Sequence, residues 1–354
     1  MRYSDLRFLL ALLLPALTIL NMLTRPELAG IWTLAVWWGF ALVDAVVPGA
    51  TTSPVPVSEN ASLDYFSWVL RLYVPLQLTM IAVGVWAAMH ADWLSALGLA
   101  FSVGFVSGSQ GITFAHELGH SKNRVDRCLA WVLMTSVCYG HFMVEHYRGH
   151  HPRAATHDDP ASARYGESVY RFLPRTLWGS WTSAWRLEAQ RVAQMRQSWL
   201  RSPLVWSSIV SFGIIFMAFW LVISTEYAQP AIKIIAFLLL QSFVALLLLE
   251  LVNYIEHYGL QRTQLDGKRE AFGMMHAWNA DHVATNSLLA NLQRHSDHHM
   301  HAWKPYATLQ ALPGPQLPTG YAGCILLALM PPLWFRLMHP RLAALQQNMP
   351  LRSG

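Results

Sequence analysis

Charge is scarce in this chain. Only 13% of its 354 residues are charged, while 54% are hydrophobic. A soluble domain carries about 25% charge, so the shortfall excludes an ordinary soluble protein and places the chain in the membrane class. Cysteine is nearly missing too. Cys128, Cys138 and Cys324 stand far apart and form no CxxC pair. That spacing excludes a disulfide framework, a thiolate zinc site and an iron–sulfur or rubredoxin-type centre among these residues. Arg2 and Arg7 precede the first apolar run. No small-residue cleavage pattern follows, and a second apolar segment comes at once, so the run reads as a retained span rather than a signal peptide.

What is abundant is apolar length. A bilayer needs about 20 helical residues to be crossed. Six segments qualify: Leu9–Met22, Ile31–Val47, Leu70–Met89, Trp93–Phe114, Leu204–Val222 and Ala231–Leu251. The turns after the first, third and fifth are short, so the spans read as three antiparallel hairpins. The expected fold is an all-α integral membrane protein, a six-helix bundle forming one domain over residues 1–354. Cys128–Phe142 is short for a span, and Pro331-Pro332 interrupts Tyr321–Met338. Both read as buried, interfacial or re-entrant.

The net charge is +5, and its distribution orients the chain. Twelve of the 25 Lys/Arg lie between Lys122 and Arg201, and eight follow Tyr258. The three short turns carry only Arg25. Lys/Arg-rich loops stay cytoplasmic. The N-terminus, the 48–69 loop, the 115–203 region and the 252–354 region therefore share the cytoplasmic side. The 48–69 loop has no Lys or Arg and is Pro/Ser-rich, so it does not add to the orientation. A basic chain invites a nucleic-acid partner. Because these cations gather on one membrane side, lipid headgroups are the simpler account, an acidic protein partner fits as well, and no nucleic acid is expected.

Nine of the 16 histidines fall into four clusters at that side. His116 and His120 close the fourth span. His146, His150 and His151 follow in the loop. His257 ends the sixth span, and His295, His298 and His299 come later. Residues four apart on a helix share a face, so spacings of i, i+4 and i, i+3 let one turn offer several imidazoles to one centre. Nine imidazoles exceed the capacity of one ion, so two ions are expected. His276 and His282 are alternative ligands should the set of nine be incomplete. The His-Glu-x-x-His string also reads as a zinc protease motif with Glu117 as base, but that leaves the other three clusters unexplained.

Imidazole donors suit Zn, Cu, Fe and Ni. Structural zinc wants four ligands and commonly cysteine, so a redox metal, iron above all, fits better. Carboxylates flank the clusters: Glu117, Glu145, Asp158, Asp159, Glu256 and Asp297. Some are expected to accept the outer N–H of ligand histidines and fix their tautomers.

The strings HELGHSKNR at 116–124, EHYRGHHPRAATHDDPASARYGESVY at 145–170, NYIEHYGLQR at 253–262 and LQRHSDHHMHAWKPY at 292–306, with PPLWFRLMHPR at 331–341, resemble the integral-membrane non-haem di-iron alkane monooxygenases. That group sits with the xylene monooxygenases among the membrane desaturases and hydroxylases. The resemblance implies that all nine clustered histidines ligate two irons at the cytoplasmic end of a hydrophobic channel, in the cell inner membrane. It implies O2 as co-substrate and electrons from NAD(P)H through a reductase and a rubredoxin or ferredoxin-like donor on separate proteins. The expected reaction is terminal hydroxylation of medium- or long-chain alkanes to primary alcohols. Methyl hydroxylation of alkyl-aromatics stands as the alternative, and a fatty-acyl desaturase or lipid hydroxylase as the next. A metal transporter would carry its ligands near the midplane rather than at one face. A scaffold gives no reason for the clusters.

Overall fold

The computed structural model describes residues 6–47, 49, 63–224, 228–265 and 268–348. Most of the 48–69 loop and the middle of the 223–230 turn lie outside the described residues. The described helices, in chain order, are α1 (Leu10–Thr24), α2 (Ala29–Val46), α3 (Leu63–His90), α4 (Trp93–His120), α5 (Arg124–Ser136), α6 (142–153), α7 (Val169–Gln194), α8 (Pro203–Ser224), α9 (Ala228–His257), α10 (Val283–Leu288), α11 (His295–Met300), α12 (Tyr321–Ala328) and α13 (Pro331–Asn348). One two-residue antiparallel pairing, Gln264 with Arg269 and Leu265 with Lys268, is the only sheet among the described residues. The protein is all-α and multi-pass: α1, α2, α3, α4, α8 and α9 are the six helices long and apolar enough to cross a membrane.

The breaks between spans follow local chemistry. Pro26 follows the last turn of α1 and lacks the N–H to continue it. Asp92 caps α4, its carboxylate accepting from the Ser95 backbone N–H at 3.0 Å. Cys138 adopts a left-handed φ of 56° just past α5, so the apolar stretch 128–142 is broken before it reaches bilayer length. The stretch 321–338 is also no straight span, because α12 and α13 meet at a 118° bend.

The fourth span is the centre of the bundle. In α4, 78% of the apolar window is buried, against 17–39% in the other five spans. Small residues make that possible. A Cβ at Gly104 would stand 2.6 Å from the Gln241 carbonyl oxygen, and one at Gly108 2.6 Å from the Ala245 Cα. The Gly-x-x-x-Gly face thus lets the backbones of α4 and α9 touch. These two helices end in His120 and His257, so their close approach brings two histidine clusters to one end of the bundle.

Candidate metal centre

Four segments meet at that end. The last turn of α4 carries His116 and His120, α6 carries His146, His150 and His151, α9 ends in His257, and α11 carries His295, His298 and His299. The nine imidazoles divide into two groups. One holds His116, His120, His146, His151 and His298; the other holds His150, His257, His295 and His299. Within each group one ring nitrogen per residue lies within 4.8 Å of all the others. Metal–nitrogen bonds of about 2.1 Å make a coordination sphere about 4.2 Å across, so each group has the dimensions to close on one ion.

The grouping departs from simple helical spacing. The chain widens to a π turn over His146–His150, and such turns recur at functional sites. Five residues then span one turn. His146 and His151 face each other with Nε2 atoms 2.9 Å apart, while His150 points the other way, 3.3 Å from His299. In α11, His295 and His299 share the second group and His298 joins the first. The expectation that one turn offers several imidazoles to one centre holds for His116 with His120 and for His295 with His299, while His150 and His298 part from their neighbours. The α6 and α11 segments each bridge both groups.

The surroundings of the two groups differ. His150 Nδ1 lies 2.9 Å from the Asp159 carboxylate, which also accepts from the Ser162 hydroxyl at 2.6 Å. His295 Nδ1 lies 3.2 Å from Glu256. His257 Nδ1 faces the His276 carbonyl at 3.4 Å. All three contacts serve the four-imidazole group. His116 Nε2, His120 Nε2 and both nitrogens of His298 in the five-imidazole group, and His295 Nδ1 and His299 Nδ1 in the four-imidazole group, are buried without a hydrogen-bond partner among the described residues. Orphaned buried nitrogens are costly unless something binds them, and a metal ion satisfies them.

The other flanking carboxylates make different contacts. Glu117 accepts from the Tyr306 backbone N–H at 2.9 Å. Glu145 pairs with Arg153 at 2.5 Å, and burial pushes its carboxyl up to about 7 against the pull of Ser183 and Arg153. Asp297 binds Lys304, His301 and the Gln310 backbone N–H. Asp158 is exposed and pairs with Arg269. His276 and His282 fall outside both groups.

Electrostatics favour the neutral form of five of these imidazoles. Burial first, and then the neighbouring imidazoles, hold His146, His151, His295, His298 and His299 well below the ordinary histidine value. A neutral imidazole is the form that binds metal. Burial works against the Asp159 charge, yet His150 and Ser162 hold its carboxyl at about 2. It is thus a full acceptor for a His150 N–H. The donor set is all nitrogen with no thiolate, which fits iron.

Several contributors carried no clear sequence signal. Phe142 stacks on His146, with centroids 4.7 Å apart, and Phe272 stacks on His299 at 4.6 Å. The Tyr147 hydroxyl donates to the His116 carbonyl at 2.9 Å. A Cβ at Gly119 would overlap that hydroxyl, which accounts for the glycine in HELGH. Phe142 was findable, since it sits one turn before His146. Phe272 and Tyr321 reach the site only through tertiary folding.

One cavity abuts the centre and a second adjoins it. The inner one is lined by His116, His146, His295, Glu256, Phe142 and Asn253, among others. The outer one is almost wholly apolar and runs between Leu14, Trp37, Phe40, Phe105, Leu248 and Ile325. Thr113, Val252 and Leu292 line both and so stand between them.

Residues 91–327 match the fatty acid desaturase family. The chain is 40% identical over 313 residues to alkane 1-monooxygenase 2 of Pseudomonas aeruginosa, covering 86% of this chain and 81% of that protein. It is 37% identical over 329 residues to alkane 1-monooxygenase 1 of the same organism, covering 87% and 84%. It is 26% identical over 319 residues to the xylene/toluene monooxygenase hydroxylase component XylM of Pseudomonas putida, covering 87% and 82%. The six spans, the paired imidazole groups and these likenesses agree, and the chain belongs to the fatty acid desaturase family and, within it, to the membrane alkane 1-monooxygenase group of non-haem di-iron enzymes.

Proposed function

We propose that this protein hydroxylates the terminal methyl of medium- or long-chain alkanes to give primary alcohols. In this reading one oxygen atom of O2 enters the C–H bond, the other leaves as water, and two electrons and two protons are consumed. His116, His120, His146, His151 and His298 hold one iron, and His150, His257, His295 and His299 hold the other. The observation that carries the reading is the junction of two buried imidazole groups with an apolar tunnel. The curated relatives named for alkane 1-monooxygenase activity support it.

The irons would supply the redox chemistry that an unactivated C–H bond demands, which no acid–base pair provides. The chain's own residues supply the rest. The outer cavity takes the hydrocarbon out of water and lipid and aligns it. Thr113, Val252 and Leu292 admit only its end to the inner chamber. Asp159 fixes the tautomer of His150, so that its far nitrogen faces the centre, and Glu256 stands 3.2 Å from His295 Nδ1.

Electrons come from NAD(P)H through a reductase and a rubredoxin or ferredoxin-like protein, since the three cysteines make no iron–sulfur centre. The protein works in the inner membrane with the imidazole end facing the cytoplasm, where its Lys/Arg-rich segments lie. The likeness to the xylene/toluene enzyme supports a second reading, methyl hydroxylation of alkyl-aromatics.

The test is a product assay under ¹⁸O2. Purified protein with reduced rubredoxin and reductase is offered alkanes, xylenes and methyl esters. Label in a primary alkanol carries the proposal. Label only in benzylic alcohols shifts it to the second reading. Unlabelled unsaturated products would replace both with a desaturase.

A further inference from the structure

The two imidazole groups differ in what stands behind them, and one of those supports reaches the substrate tunnel. Tyr321 is fully buried, at 1% exposure. Its hydroxyl donates to Glu256 Oε1 at 2.7 Å. The same oxygen lies 3.2 Å from His295 Nδ1. Tyr321 also lines the outer apolar cavity, while Glu256 and His295 line the inner chamber. One hydroxyl thus joins the wall of the tunnel to a member of the four-imidazole group.

The position of Tyr321 is itself set by the tunnel wall. Its backbone N–H donates to Gln293 Oε1 at 3.1 Å. Gln293 donates to the Thr285 hydroxyl at 2.6 Å, and Thr285 donates to the buried Asp44 carboxylate at 2.9 Å. Trp37 Nε1 donates to the Ala322 carbonyl at 3.1 Å. Thr285, Trp37 and Ala322 all line the outer cavity. No comparable carboxylate contact backs the five-imidazole group among the described residues.

We propose that Tyr321 is a positioning residue for the four-imidazole site alone, acting through Glu256 on His295, and that it ties the tunnel wall to that site. The inference rests on the di-iron reading above. Glu256 Oε1 accepts the Tyr321 O–H and is thereby held 3.2 Å from His295 Nδ1, a nitrogen with no hydrogen-bond partner of its own among the described residues. A carboxylate held at that distance favours a proton on Nδ1 and leaves Nε2 free. Removal of the hydroxyl frees the carboxylate to swing and loosens His295. His298 lies in the same short helix but belongs to the other group, so the effect is confined to one ion.

The test uses the ⁵⁷Fe-loaded holoenzyme and two variants. Y321F keeps every atom of the ring and removes only the hydroxyl; E256Q keeps the shape of the acceptor. Loss of an outer partner costs roughly 10- to 100-fold in metal affinity. In Y321F we expect one of two Mössbauer doublets to shift and a chelator to strip that ion about tenfold faster. The other doublet and its stripping rate stay at the wild-type values. E256Q shifts the same doublet, and the double variant goes no further than E256Q. Wild-type spectra and stripping in Y321F overturn the proposal, as do effects of Y321F and E256Q that add in full. A Y321F protein that loses both ions together or fails to assemble also overturns it, since Tyr321 would then serve folding. Each of those results leaves the proposed function standing if the wild type holds two irons and hydroxylates. A wild type holding no iron overturns both.

Discussion

His146 Nε2 lies 2.9 Å from His151 Nε2, although five residues separate them in sequence. The π turn that makes this contact also turns His150 toward the other group. Neighbouring residues in one short segment thus reach different imidazole groups.

H146A and H150A should therefore fail in different ways. Each is expected to abolish terminal hydroxylation. Iron counted by plasma emission should fall toward one per chain in both. The doublet lost in H146A should be the one retained in H150A. Loss of the same doublet in both variants would show that the grouping is wrong.

Asp159 holds His150 by a 2.9 Å contact. D159N keeps the shape and removes the charge. Its iron affinity should drop by roughly 10- to 100-fold at the four-imidazole site. Competition with a chelator of known affinity measures this, and wild-type retention would remove Asp159 from the role.

Val252 and Leu292 stand between the two cavities and line both. L292W should block passage while leaving every imidazole in place. Alkane hydroxylation is expected to fall at least tenfold, with iron content unchanged. Overpacking of this kind costs about 1–3 kcal/mol of stability, so a thermal midpoint in detergent accompanies the assay. Full activity on long alkanes would place the substrate path elsewhere.

Gly108 meets the Ala245 backbone, where a Cβ would stand 2.6 Å from its Cα. Backbone cannot yield as a side-chain tip can. G108V should push α4 from α9, cost at least about 1–3 kcal/mol, and reduce bound iron through the displaced ends of both helices. A midpoint and iron count equal to wild type would refute the close-packing account.

Glu188 is a hub for Arg191, Ser202 and Arg148. Burial opposes its charge, but these partners hold the carboxyl at about 2. Its folded value is below the unfolded one, near 4.5. Its stabilisation is therefore complete above about pH 4.5 and is lost as pH falls toward 2. E188Q should lower the thermal midpoint at pH 7, and the gap to wild type should narrow between pH 5 and 3. A gap that does not change with pH would assign the loss to packing rather than charge.

The six spans were legible because a bilayer demands long apolar helices, and composition alone reports those. The histidine clusters were legible for a related reason: nine imidazoles beside apolar segments need a ligand. Which imidazoles share a group was not legible. The α6 segment reads as an ordinary helix from spacing, and only its π turn sends His146 and His150 apart. The flanking carboxylates show the same limit. Six lie next to clusters in sequence, but only Asp159 and Glu256 touch an imidazole of either group among the described contacts. Glu117, Glu145, Asp158 and Asp297 turn to other partners.

The sequence by itself determined the membrane class, the six spans, the all-nitrogen donor set and its placement at one end of the bundle. These follow from local composition and from the length a helix needs to cross a bilayer. Tertiary structure alone decided the division into five and four imidazoles, the two adjoining cavities, and the reach of Tyr321 to Glu256 across 65 residues of chain. Those depend on how closely backbones approach, as at Gly104 and Gly108 against α9. Packing between distant segments leaves no periodic trace in the residues that make it.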